Sequence, residues 1–374
     1  MGDVALRRLL GSCATGVVCP EHRPLRETLL SQVRDIDRLV PDAETNGIGP
    51  LVALHLGGIE TLPELVRRGL LGLSARHAQA HQARISALED AITALAAAGV
   101  RCLLLKGAAL ANLVYARPQL RAMRDVDLLL RDVDIPRAEE ALEAAGFSER
   151  IAARPGRHEV VTRVRTLHGF GISIDLHRRL GLLTLPLYAA APRQTFDELW
   201  DDSQPVTIGA TTARALGKED LLRFVFRHGF CLQLDEDRLR LVSIADAVTA
   251  MESWLGSLDW GQLRAHDPVA YRGLAMLHHV VPLSAGVLDA LDYRPHRVPA
   301  GIADQYWGWP RVPRPIRGTS AWLVATMFPS EWWLRTRHGG RANVTGLVAG
   351  WTSHVRELSA IGRRVWTGAP RPER

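Results

Sequence analysis

The residues in this chain best suited to chemistry are acids. Asp125-Val126-Asp127 opens an apolar run that continues through Leu128, Leu129 and Leu130. As a strand, that run turns Asp125 and Asp127 to one face, about 6.5 Å apart, and Val126 and Leu128 to the other. Two buried carboxylates at that separation repel by roughly 2.5 kcal/mol at an effective dielectric of about 20, so the pair calls for a cation. Mg2+ (or Mn2+) suits it, because a hard divalent ion keeps part of its water shell and bridges carboxylates to phosphate oxygens. A third acid stands in Phe170-Gly171-Ile172-Ser173-Ile174-Asp175-Leu176-His177, where Ile172, Ile174 and Leu176 alternate with Ser173, Asp175 and His177. On a strand beside the first, Asp175 completes a three-carboxylate metal site and can take a proton from a hydroxyl.

Upstream, Leu103-Leu104-Leu105-Lys106-Gly107-Ala108 reads as a strand running into a helix. Glycine there lets backbone approach an anion, and the free N–H groups of a helix start favour one. Lys106 is placed either to neutralise phosphate or to sit as a lysine at the edge of the core. The chain has no Walker lysine pattern and no GxGxxG, which excludes a P-loop or dinucleotide fingerprint.

The elements that must position these groups follow from hydrophobic period. Residues 1–99 read as a helical region, with Leu29, Val33, Ile36 and Leu39 at helical spacing and a long helix from about Ser74 to Ala98. Gly99 and the apolar run 100–105 open a core over residues 100–210. Its predicted order is strand 100–105, helix 108–115, strand 126–130, helix 136–145, strands 159–165 and 170–176, and a short strand at 206–208. Residues 211–374 read as mostly helical, with helices predicted at 219–228, 238–254, 268–279, 319–327 and 344–364. The fold class expected is α+β, a small mixed sheet between N-terminal and C-terminal helical regions.

The order Leu-Leu-Lys-Gly, Tyr115, Arg124 before Asp-x-Asp-Leu-Leu, and a later Ile-Asp-Leu-His resembles the uncharacterised bacterial nucleotidyltransferase family of the DNA polymerase beta type superfamily. The resemblance covers 103–177 and continues more weakly through 216–250, with His228 and Asp246, and through Phe328-Pro329-Ser330 to His338. It implies the superfamily's minimal fold, a glycine turn at Gly107, a metal pair at Asp125 and Asp127 and a third carboxylate at Asp175. The nucleotide-binding residues expected are Lys106, Gly107, Ala108 and Arg124. Superfamily members often carry Gly-Ser or Gly-Gly at the turn, whereas Gly107-Ala108 offers a phosphate no hydroxyl. The activity implied is transfer of a nucleoside monophosphate from an NTP such as ATP to a hydroxyl-bearing acceptor; a silent binding or scaffold protein on the same fold is the alternative.

The remaining features weigh less. His177 and His228 flank apolar positions and read as hydrogen-bonded structural histidines, His177 also as a partner of the metal site. Lys218 reads as a solvated helix-start residue. Trp307, Trp309, Trp332 and Trp333 with Arg311, Arg314, Arg335 and Arg337 form either an acceptor surface or a C-terminal core. The net charge of +6 and pI near 9.5 bias the chain toward anionic partners, a small molecule, a peptide or an RNA end. Cys13, Cys19, Cys102 and Cys231 lack zinc spacing and suit a reducing compartment. No apolar run reaches the length of a membrane span, so the expected location is cytoplasmic.

Overall fold

The computed structural model describes residues 3–152, 159–180, 195–231, 240–295, 334 and 344–367. In chain order its elements are α1 (Val4–Ser12), α2 (Arg23–Gln32), α3 (Leu39–Thr45), α4 (Gly49–Leu56), α5 (Glu64–Ala97), β1 (Cys102–Leu104), α6 (Lys106–Leu113), β2 (Asp125–Leu130), α7 (Ile135–Ala144), β3 (Glu149–Ala152), β4 (Glu159–Leu167), β5 (Phe170–His177), α8 (Phe196–Asp201), β6 (Gln204–Ile208), β7 (Thr211–Ala215), α9 (Lys218–Phe226) and α10 (Leu241–Ser253). There follow α11 (Trp260–His266), α12 (Pro268–Ala275), α13 (Ala285–Ala290) and α14 (Val344–Thr367). The chain divides into two units: Met1–Gly181, Gln194–Val225 and Arg240–Leu258 form the first, and Leu182–Arg193, Phe226–Leu239 and Asp259–Arg374 the second.

The first unit is built on a seven-stranded mixed sheet of order β3-β4-β5-β2-β1-β7-β6. β2 lies in the middle of that order, and Val126 through Leu130 are all buried, which is why every residue after the first is apolar except the functional Asp127. β1 pairs with it antiparallel, Leu104 opposite Leu128, while β5 pairs with it in parallel, Asp127 opposite Asp175. β5 buries Ile172, Ile174 and Leu176 and leaves Ser173 and Asp175 half-buried, the alternation expected of a strand with one apolar face. The long α5 ends where Gly99, at φ +67°, takes the left-handed conformation a side chain would resist, and the chain turns into β1.

The architecture is α+β, with a larger sheet than the sequence suggests. Periodicity missed β7, a five-residue strand of small and polar residues, and β3, whose side chains are all exposed. α1 falls within the N-terminal stretch read as helical; it buries Leu6, Leu9 and Leu10 and is capped by Asp3, whose carboxylate accepts from the N–H of Leu6 at 3.1 Å. The helix predicted at 319–327 lies outside the described residues.

Within the second unit, Arg227 and Asp267 form a buried forked pair, Nε to Oδ2 at 2.7 Å and Nη2 to Oδ1 at 2.5 Å. The same Asp267 accepts from the N–H of Ala270 at the start of α12. That cluster fixes the entry to the helix and satisfies a charge that could not be left alone in the interior.

Candidate active site

Strand geometry brings three acids to one face. Asp125 and Asp127 are two residues apart on β2, and the parallel register with β5 puts Asp175 directly beside Asp127 and Ser173 beside Asp125. Asp125 is exposed, Asp127 is 4% exposed, and Asp175 lies between these extremes. His177 is two residues beyond Asp175 on the same side of β5 and is buried. Oxygen or nitrogen atoms of Asp127, Asp175 and His177 all lie within 4.8 Å of one another, close enough to share one metal ion.

Asp127 is the centre of the cluster. Its Oδ1 accepts from Lys106 Nζ at 2.8 Å and from His177 Nε2 at 2.8 Å. Burial opposes its ionisation, but the Lys106 ammonium and the His177 hydrogen bond outweigh that and hold the carboxyl well below the usual range. Burial likewise works against the Lys106 charge, and Asp127, joined by Asp125 and Asp175, more than offsets it. The Lys106 ammonium also lies 5.8 Å from the centre of the Phe224 ring. Asp175 differs: burial, reinforced by the charges of Asp125 and Asp127, pushes its carboxyl up to about 6, against the lowering effect of a 2.6 Å bond from the Thr162 hydroxyl to Oδ1.

The donor set fits a divalent cation. Three ionised carboxylates and one ammonium leave two negative charges (−3 + 1 = −2). The Oδ2 atoms of Asp127 and Asp175 make no hydrogen bond among the described residues, and neither is a sealed, unpaired atom, so both can accept a ligand. Hard oxygens suit Mg2+ or Mn2+, and the imidazole adds a ligand more usual for Mn2+ or Zn2+.

The turn before α6 works differently from the sequence reading. Lys106, not the glycine, is left-handed, at φ +43°, a strained conformation for a long side chain. Gly107 lacks a side chain for a steric reason: a Cβ there would stand 2.4 Å from Arg121 Nη1 and 2.6 Å from its guanidinium carbon. Arg121 is locked in that place by Asp246 on α10, Nε to Oδ1 at 3.1 Å and Nη2 to Oδ2 at 2.6 Å, and the Tyr115 hydroxyl donates to the same carboxylate at 2.9 Å. Ala108 is buried, and Arg124 is exposed with no ion pair among the described residues.

The profile of a family described as uncharacterised nucleotidyltransferase matches residues 32–268, more than half of the chain and the whole of the site. The chain belongs to that family. No curated protein matches it. Among solved structures, an antigenic nucleotidyltransferase-like protein from Paracoccidioides brasiliensis aligns at 13% identity over 55% of this chain and 97% of its own, with a TM-score of 0.33.

Sequence reasoning missed the Arg121–Asp246–Tyr115 cluster as a unit. One signal was present: Asp246 stands between Ala245 and Ala247 in the apolar helix Leu241–Ser253, and an acid there requires a buried cation. Lys218, expected to be solvated, donates from Nζ to Ser257 Oγ at 2.9 Å. The tryptophans and arginines at 307–337 lie outside the described residues. No helix among the described residues is long and apolar enough to cross a membrane.

Proposed function

We propose that this nucleotidyltransferase-family chain transfers a nucleoside monophosphate from an NTP to a hydroxyl-bearing acceptor and releases pyrophosphate, on a site of the DNA polymerase beta type. The observation that carries this reading is the register of β2 on β5, which sets Asp127 against Asp175 with Asp125 two residues upstream on the same face. Asp125, Asp127 and Asp175 would hold the metal, with His177 as a further ligand or as a brace for Asp127. Bound there, Mg2+ or Mn2+ supplies charge stabilisation to the phosphates and the leaving pyrophosphate.

The chain's own groups divide the remaining work. Lys106 keeps Asp127 ionised and in place, and the exposed Arg124 beside Asp125 is the group that would meet a phosphate, since Gly107 and Ala108 are buried. Asp175, beside Asp127 on β5, would take the acceptor's hydroxyl proton. The acceptor oxygen forms its bond to the α-phosphorus as the bond to the bridging oxygen breaks, and that electron pair leaves with pyrophosphate. A silent scaffold is favoured by one observation, that Lys106 already answers the Asp127 charge without a metal.

Incubation of the chain with each α-labelled NTP, Mg2+ and a cell extract tests the reading. Label moves to an acceptor with the wild-type protein and not with Asp127→Asn. Equal transfer by both proteins, or none with any NTP, contradicts it.

A further inference from the structure

Arg84, on α5, is a buried cation without an acid. It is 7% exposed, its Nη2 donates to the carbonyl of Met123 at 2.9 Å, and no carboxylate pairs with it among the described residues. Its Nε is sealed and unpaired, while Nη1 makes no hydrogen bond among the described residues and is not sealed from solvent, so one nitrogen of the guanidinium remains open. One turn earlier on the same helix, the Nδ1 of His81 is also buried and unpaired. Arg163, Arg223 and Arg227, by contrast, each meet a carboxylate. A desolvated guanidinium bonded to a single carbonyl is poorly compensated, and its open Nη1 can donate to an anionic oxygen.

Its position names the anion. Met123 is two residues before Asp125, so Arg84 stands where β2 begins; burial disfavours its charged form and Arg121 adds to that, with the Asp125 charge only partly opposing them. A ligand that meets Asp125 through a divalent cation and also reaches Arg84 carries more than one anionic group, as a polyphosphate does. We propose that Arg84 forms a subsite for the β- and γ-phosphates of the nucleoside triphosphate. The identity of that ligand rests on the nucleotidyltransferase reading; the anion site itself does not.

The probe is inorganic tripolyphosphate, titrated with and without Mg2+ into full-length wild type, Arg84→Met and Arg84→Lys, with melting temperature and calorimetry as readouts. Tripolyphosphate raises the melting temperature of the wild type. Arg84→Met weakens its binding about ten-fold or more, since charged hydrogen bonds are lost. Arg84→Lys, which keeps the charge but not the planar guanidinium, weakens it less, and the loss in Arg84→Met persists without Mg2+. Without anion, Arg84→Met melts at or above wild type, because a buried unpaired charge has gone. Unchanged affinity in Arg84→Met overturns the proposal, as does a lowered melting temperature with unchanged affinity, or loss of fold in both Arg84 variants, which marks the arginine as a strut for Met123. If Arg84→Met binds like wild type while wild type still transfers label, the subsite falls and the enzyme stands. If Arg84 grips tripolyphosphate but no NTP is used, the enzyme falls and the subsite stands.

Discussion

Replacing Lys106 by methionine removes the cation that holds Asp127 ionised. At 2.8 Å the Nζ to Oδ1 attraction is about 6 kcal/mol at an effective dielectric of 20. The net cost is smaller, because the lysine no longer has to be desolvated and His177 still donates to the same oxygen. Breaking one side of a buried pair typically costs about 3–5 kcal/mol, and the surviving histidine bond places this case near the lower figure. For a unit of this size that is a fall in melting temperature of roughly 6–12 °C. The assay is calorimetric melting in EDTA and again in millimolar Mg2+. Lys106→Met loses that margin in EDTA and regains part of it with Mg2+, because the metal replaces the missing positive charge. The double variant Lys106→Met/Asp127→Asn costs less than the two single changes added together. A Lys106→Met protein that melts like wild type in EDTA, or gains nothing more than wild type from Mg2+, refutes the reasoning.

Further outcomes follow from the same geometry. The Asp175 carboxyl is raised to about 6 from 3.8, so its ionisation is disfavoured in the folded state; that penalty is absent below about pH 4, grows between 4 and 6, and is full above 6. Metal-free Asp175→Asn is therefore more stable than wild type at pH 8 and loses that advantage as pH falls toward 4, which melting curves across pH will show. Gly107→Ala drives a methyl into the Arg121 guanidinium and costs about 1–3 kcal/mol, read as a lower denaturant midpoint. Asp246→Asn leaves Arg121 buried without its counter-charge and costs about 3–5 kcal/mol by the same measurement.

The site's skeleton was legible wherever chemistry and period coincide. Two acids spaced by one apolar residue, and a third in a strictly alternating segment, announce strands with carboxylates on one face. The alternation of Ile172, Ile174 and Leu176 also separates the buried face of β5 from the face that carries Asp175. What pairs with what was less visible. The register setting Asp127 beside Asp175 is a tertiary fact, and Arg121 meets Asp246 across 125 residues of sequence. The glycine at 107 was expected to make room for a phosphate; it makes room for a guanidinium, and the backbone strain falls on Lys106. No local pattern marks Arg84, one arginine among many on a long helix, because its lack of an acidic partner is defined only by what surrounds it in space.

The most direct test of the central claim is a titration of Mn2+ followed by electron paramagnetic resonance, in the presence of a non-hydrolysable NTP analogue. Wild type binds Mn2+ tightly with nucleotide, and Asp127→Asn and Asp175→Asn each weaken that binding at least about ten-fold, as the loss of one first-sphere carboxylate requires. Both variants holding Mn2+ as strongly as wild type contradicts a shared cation at these acids.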